Sequence, residues 1–87
     1  LWRGRYSLVA EKIPAGAVAV GQAIKDLALP TECVIAAIIR DGEMVLPAGA
    51  TVFQAGDEAL AITDRPGQDQ LARLFASPEA GKEDERS

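Results

Sequence analysis

Histidine is absent from this chain of 87 residues, and cysteine occurs once, at Cys33. No Ser-His or Cys-His arrangement can therefore be built, and a zinc site of the usual Cys/His kind is excluded. A disulfide framework is excluded too. Only four aromatic residues are present, Trp2, Tyr6, Phe53 and Phe75, too scattered to form a base-stacking platform. Basic residues are also in deficit. Nine Lys and Arg against 13 Asp and Glu give a net charge of −4, the wrong sign for a general nucleic-acid binder. No apolar run approaches the roughly 20 residues of a membrane span, and neither a signal-peptide pattern nor a basic amphipathic stretch occurs. The expectation is a protein that neither binds nucleic acid nor inserts into a membrane.

What is there is a chain that is 48% hydrophobic, too apolar for a disordered segment. Its length allows one domain, and a domain this small buries only about 60% of the surface its unfolded chain exposes. With disulfides and metal excluded, a partner chain is the remaining source of stability, so a homo-oligomer is expected. The chain starts at Leu1 and reads as a piece of a longer protein.

Residues 1–5 read as the end of a linker. Tyr6 to Ile13 reads as a strand closed by Pro14-Ala15-Gly16. Val20, Ile24 and Leu27 fall at i, i+4 and i+7, which predicts a helix of about two turns with one buried stripe, stopped by Pro30. Cys33 to Ile39 is an uninterrupted apolar run, β-branched at four positions and bounded by polar residues and Gly42. It predicts a strand buried on both faces. Asp41-Gly42 is a tight-turn signal leading to a returning strand over Glu43 to Leu46. Thr51 to Gln54 is either a short strand or an irregular turn, and Ala55-Gly56-Asp57 reverses the chain. Glu58 to Thr63 alternates with Leu60 and Ile62 on one face, as a strand would. After Asp64-Arg65-Pro66-Gly67, the positions of Leu71, Leu74 and Phe75 predict a second helix. Residues 78–87 form a flexible polar tail, leaving 6–77 as the domain. The expected fold is α+β: a small β-α-β-β-β-α domain, its mostly antiparallel or mixed sheet covered by two helices, and dimeric.

A catalytic constellation is hard to assemble. Cys33 has no base beside it in the sequence and reads as a structural thiol. The carboxylates of Asp57-Glu58 and Asp41/Glu43 lie beside turns and read as solvated acids. Gly16 and Gly21 have the glycine spacing of a P-loop, but Gln22-Ala23 replaces the Lys-Ser/Thr that grips phosphate, and Gly21 reads as a close helix-to-sheet contact. Asp57 alone is a poor cation site. The protein is not expected to be an enzyme, and no metal site is expected. Arg40 is the one residue with two chemical readings. At the end of an apolar strand it can hold a phosphate or carboxylate, or it can pair with a nearby acid.

Glu11-x-Ile13 before the Pro-Ala-Gly turn, followed by Val20-Gly21-Gln22-Ala23-Ile24-x-x-Leu27-x-Leu29-Pro30, resembles the opening of the TrkA-C domain, also called the RCK C-terminal domain. Ile38-Ile39-Arg40-Asp41-Gly42, Leu46-Pro47-x-Gly49-x-Thr51 and Gln54-x-Gly56-Asp57-Glu58 continue that pattern in order, so the resemblance runs from Ser7 to Phe75. It implies a regulatory domain of a potassium or other cation transport system. The domain would be cytoplasmic, peripheral to the inner face of the membrane through a membrane-embedded transporter or channel subunit. Such domains commonly dimerise and follow a Rossmann domain, on which NAD(H) or ATP would bind, and none of that cofactor is expected on this segment. Some members bind cyclic di-AMP at the dimer interface. The matching positions here are Ile38, Ile39, Arg40, Met44, Val45 and Pro47. Asp41 and Glu43 set negative charge beside that candidate site. Two functions stay open: a ligand-sensing dimer that gates the membrane subunit, and a purely structural dimerisation module with no ligand of its own.

Overall fold

The computed structural model describes residues 5–76, so the 78–87 tail and most of the 1–5 linker lie outside the described residues. Four strands, β1 (Ser7–Lys12), β2 (Cys33–Arg40), β3 (Glu43–Val45) and β4 (Glu58–Thr63), form one sheet in the order β1-β4-β2-β3. All three pairings are antiparallel. One helix, α1 (Arg65–Leu74), follows β4. The α+β expectation holds, with an antiparallel sheet.

The first predicted helix is not one. Between β1 and β2 only Ile24–Asp26 form a single 3-10 turn. The backbone there is committed elsewhere: Gly21 N donates to Phe53 O, Phe53 N to Gln22 O and Ile24 N to Thr51 O. These bonds, with the isolated bridges Val20–Phe53 and Ala23–Val52, tie the segment to 51–53 and withdraw the groups an α-helix would need. The i, i+4, i+7 stripe survives as packing, since Val20, Ile24 and Leu27 rest half-buried against the core. Gly21 is required by its φ of 84°, not by close packing, because the space a Cβ would fill is open.

The β2–β3 hairpin is as expected. Asp41 (φ 54°) and Gly42 (φ 78°) are both left-handed, as a two-residue type I′ turn demands, and Arg40 faces Glu43 across it. The expectation for β2 itself is corrected. Its faces differ: Ile35 and Ile38 are buried in the core, whereas Val34 is 61% exposed and Ala36 also faces solvent. A register shift between Ile35 and Ala37 makes this possible. Residues three apart should point to opposite faces, and the bulge brings Ile35 and Ile38 to the same one. In β4 the alternation is real, but the fully buried side is Ala59, Ala61 and Thr63, while Leu60 and Ile62 share the opposite face and are half-buried.

The core sits on that first face. Leu71 of α1 and Phe75 just after it pack with Ile13, Ile35, Ile38 and Phe53 over the small Ala59 and Ala61. Phe53 and Phe75 meet edge-to-face with centroids 5.4 Å apart, a geometry worth about 0.5–1.5 kcal/mol beyond simple burial. Asp64 caps α1 by accepting a hydrogen bond from Gly67 N at 2.9 Å. Gly67 itself lies against the Thr63 side chain, whose Oγ1 donates to Glu32 O at 2.6 Å. A Cβ at 67 would overlap that hydroxyl. Gly67→Ala should therefore lower stability by about 1–3 kcal/mol in urea titrations, despite Ala being the better helix former.

Candidate functional site

Arg40 ends β2 and Asp57 precedes β4. The last aligned pair of those strands, Ile39 with Glu58, places them next to each other. The Arg40 guanidinium grips the carboxylate with two bonds, Nε to Oδ1 at 2.9 Å and Nη2 to Oδ2 at 2.8 Å. Nη2 also donates to Val52 O at 3.0 Å. Asp57 Oδ2 in addition accepts from Gln54 N at 2.9 Å, closing the turn that Asp57 N makes back to Gln54 O. One planar fork thus joins the end of β2, the 51–54 segment and the start of β4. Such two-point geometry is what an arginine, and not a lysine, can provide.

Asp57 is only 1% exposed, so its reading as a solvated turn acid is corrected. Asp41 and Glu43 are exposed, as expected. The Arg40 hydrogen bonds hold the Asp57 carboxyl below its ordinary pKa, helped by Gln54 N and opposed by burial. The same contact raises Arg40 further above its already high value. Burial raises the half-buried Cys33 thiol, keeping it protonated and unreactive.

The six candidate ligand positions do not form one patch. Ile38 is wholly buried in the core, with Val45 opposite it on the same face. Ile39 and Met44 pair on the other face, where Met44 is 66% exposed. Arg40 has turned to Asp57, and Pro47 lies half-buried beyond β3. The residue missing from the candidate set is Asp57. Its signal was the Gly56-Asp57 turn and an arginine at the far end of another strand, which only strand pairing could connect. Among the described residues, no cluster of three or more His, Cys, Asp or Glu is placed to hold a metal ion. No helix among them is long and apolar enough to cross a membrane.

The four-stranded sheet has counterparts among known proteins. The TrkA-C domain profile matches residues 8–76. The chain belongs to the TrkA-C domain family. It is 35% identical over 75 residues to a Trk system potassium uptake protein TrkA homolog of Archaeoglobus fulgidus, covering 86% of this chain and 17% of that protein. It is 31% identical over 67 residues to the K(+)/H(+) antiporter NhaP2 of Shewanella baltica, covering 77% of this chain and 12% of the antiporter. The chain therefore spans less than a fifth of either relative. Among solved structures, an RCK domain with cda superimposes with a TM-score of 0.71 at 18% identity, covering 80% of this chain and 99% of that one. The RCK_C domain dimer of S. agalactiae BusR in complex with c-di-AMP gives 0.70 at 18% identity, covering 79% and 95%. At that identity the likeness establishes the TrkA-C fold.

The Arg40–Asp57 pair carries a stability prediction. Arg40→Met strands the Asp57 carboxylate and should lower the urea midpoint, whereas Arg40→Met with Asp57→Leu should recover most of the loss. Acid titration tests the same pair. The folded pKa of Asp57 lies below its unfolded value of about 3.9, so its contribution is complete above about pH 4 and is lost as pH falls through the folded pKa. Asp57→Asn should flatten that acid limb in denaturation curves taken from pH 6 to pH 2.

Proposed function

We propose that this TrkA-C domain is the regulatory part of a potassium transport protein, acting in the cytoplasm on a membrane-embedded transporter or channel subunit. It works as a homodimer that senses cyclic di-AMP. The observation that carries the effector is the pair of fold neighbours, one of them a c-di-AMP complex of a domain dimer. The potassium system is supported by the relative that is 35% identical over 86% of the chain. Gating needs no catalysis. A ligand that bridges two copies shifts the dimer toward whichever geometry binds it more tightly.

At the ligand, the half-buried Ile39, its exposed partner Met44 and the neighbouring Pro47 segment offer aliphatic cover for an adenine ring. The remaining N–H groups of Arg40 serve the phosphates while its fork stays on Asp57. Ile38 and Val45 support this surface from the core side. A second reading, a structural dimer without ligand, is favoured by the commitment of Arg40 to Asp57, which already satisfies its charge.

Calorimetric titration of the chain with cyclic di-AMP, with ATP and NADH as comparators, separates the two. The sensing reading expects saturation at one cyclic di-AMP per dimer. It also expects Met44→Glu to weaken binding at least about tenfold, a loss of roughly 1.4 kcal/mol. A folded dimer that takes up no cyclic di-AMP would leave only the structural reading.

A further inference from the structure

Two segments outside the sheet, 13–27 and 46–57, bond chiefly to each other. At one end Ile13 N donates to Asp57 O, and Gly56 N donates to Ile13 O. Further along, Gly21 N donates to Phe53 O, Phe53 N to Gln22 O, Ile24 N to Thr51 O and Lys25 N to Gly49 O. Together the segments make an irregular strap over the core side of the sheet. Phe53 plugs it into the core, and Val20, Ile24 and Leu27 rest against the same cluster. Apolar burial of this kind is non-directional and does not by itself fix the strap in one place. The directional tie is Arg40. Among the described residues it is the only side chain of the four strands that hydrogen-bonds to either segment, through Asp57 and Val52 O.

We infer that Arg40 latches this strap to the sheet, that the strap opens as a unit when the latch is weakened, and that ligand and latch stabilise each other. The coupling to ligand rests on the sensing reading above; the latch itself does not. Because the strap's backbone bonds run within it, its opening breaks no pairing among the four strands. The latch is reached from outside through the arginine, whose side chain is 24% exposed against 1% for Asp57. Arg40 also follows Ile39, which pairs with Met44 on the other side of the sheet, so strap and candidate ligand surface meet at this one residue. Asp57 is then a positioning residue that never touches the ligand. With Nε and Nη2 turned to its carboxylate, the guanidinium plane is fixed, and the Nη1 edge is left for a phosphate. A ligand held by that edge binds the latched state, and linkage makes the effect reciprocal.

Amide hydrogen exchange, followed residue by residue by NMR in a series of low urea concentrations, tests the latch. The amides of Gly21, Ile24 and Phe53 should exchange through an opening with a shallower urea dependence than the amides of β4, the strand paired on both sides. Arg40→Lys keeps the charge and loses the two-point fork. It should speed the strap amides about tenfold more than those of β4. Should Arg40→Lys fail to fold, Asp57→Asn, which keeps one acceptor oxygen, is read in the same way. Equal urea dependence or equal acceleration in strap and β4 overturns the inference. So does a chain that both changes unfold, since the pair would then hold the whole domain. Cyclic di-AMP at 100 times its Kd should slow strap exchange about 100-fold, because the opened state lacks the fixed guanidinium. Binding without that slowing overturns the coupling and leaves the sensing reading intact. A chain that never binds cyclic di-AMP loses the sensing reading, and the latch is then decided by Arg40→Lys.

Discussion

The Arg40–Asp57 contact is where the chain's separate pieces are made to agree. β2 and β4 are neighbours in the sheet but are separated in sequence by the hairpin and the 46–57 connection. Asp57 lies at the point where that connection must turn back into the sheet. Its carboxylate answers three demands together: the Arg40 charge, the unpaired Gln54 N–H and the closure of the turn. A buried carboxylate is tolerable only when paired and hydrogen-bonded. The pair therefore holds the 51–54 segment in place, and that segment carries Phe53 into the core and supplies the backbone partners that replace a helix at 20–24.

Around that anchor the domain economises on volume. Ala59 and Ala61 in β4 are fully buried and small, which leaves room above the sheet for Phe53, Phe75 and Leu71. Gly67 serves the same end at the start of α1, letting the first turn descend onto Thr63. Large residues on the loop and helix fill the hollow that small residues on the strand leave, as dense interiors require. On the other side of the same strands the pattern reverses, with Leu60 and Ile62 projecting away from the core. β2 likewise serves both sides, Ile35 and Ile38 inward and Val34 and Ile39 outward. A contact made on that opposite face therefore bears on strands that also carry the core.

Much of this architecture was legible in the residues. Asp41-Gly42 determined a type I′ hairpin, because two successive left-handed residues suit that dipeptide. Glu58 to Thr63 determined a strand by strict alternation, and Asp64-Arg65-Pro66 followed by Leu71 and Phe75 determined a capped helix. The ordered set of short motifs between Ser7 and Phe75 was sufficient to assign the TrkA-C family, and the lack of histidine restricted the chemistry from the outset.

Tertiary structure alone decided three matters. The spacing of Val20, Ile24 and Leu27 fits a helix, yet hydrogen bonds from a segment thirty residues away outcompeted the local ones. The apolar run of β2 has no alternation, so only the bulge and pairing with β4 could say which residues face inward. Arg40 had two readings, an anion or a nearby acid, and strand register delivers the acid by bringing Asp57 to within 2.8 Å of its guanidinium. In each case the deciding contact joins residues distant along the chain. Local pattern determines which elements a segment can form, and long-range pairing selects which one it does form and which side it shows.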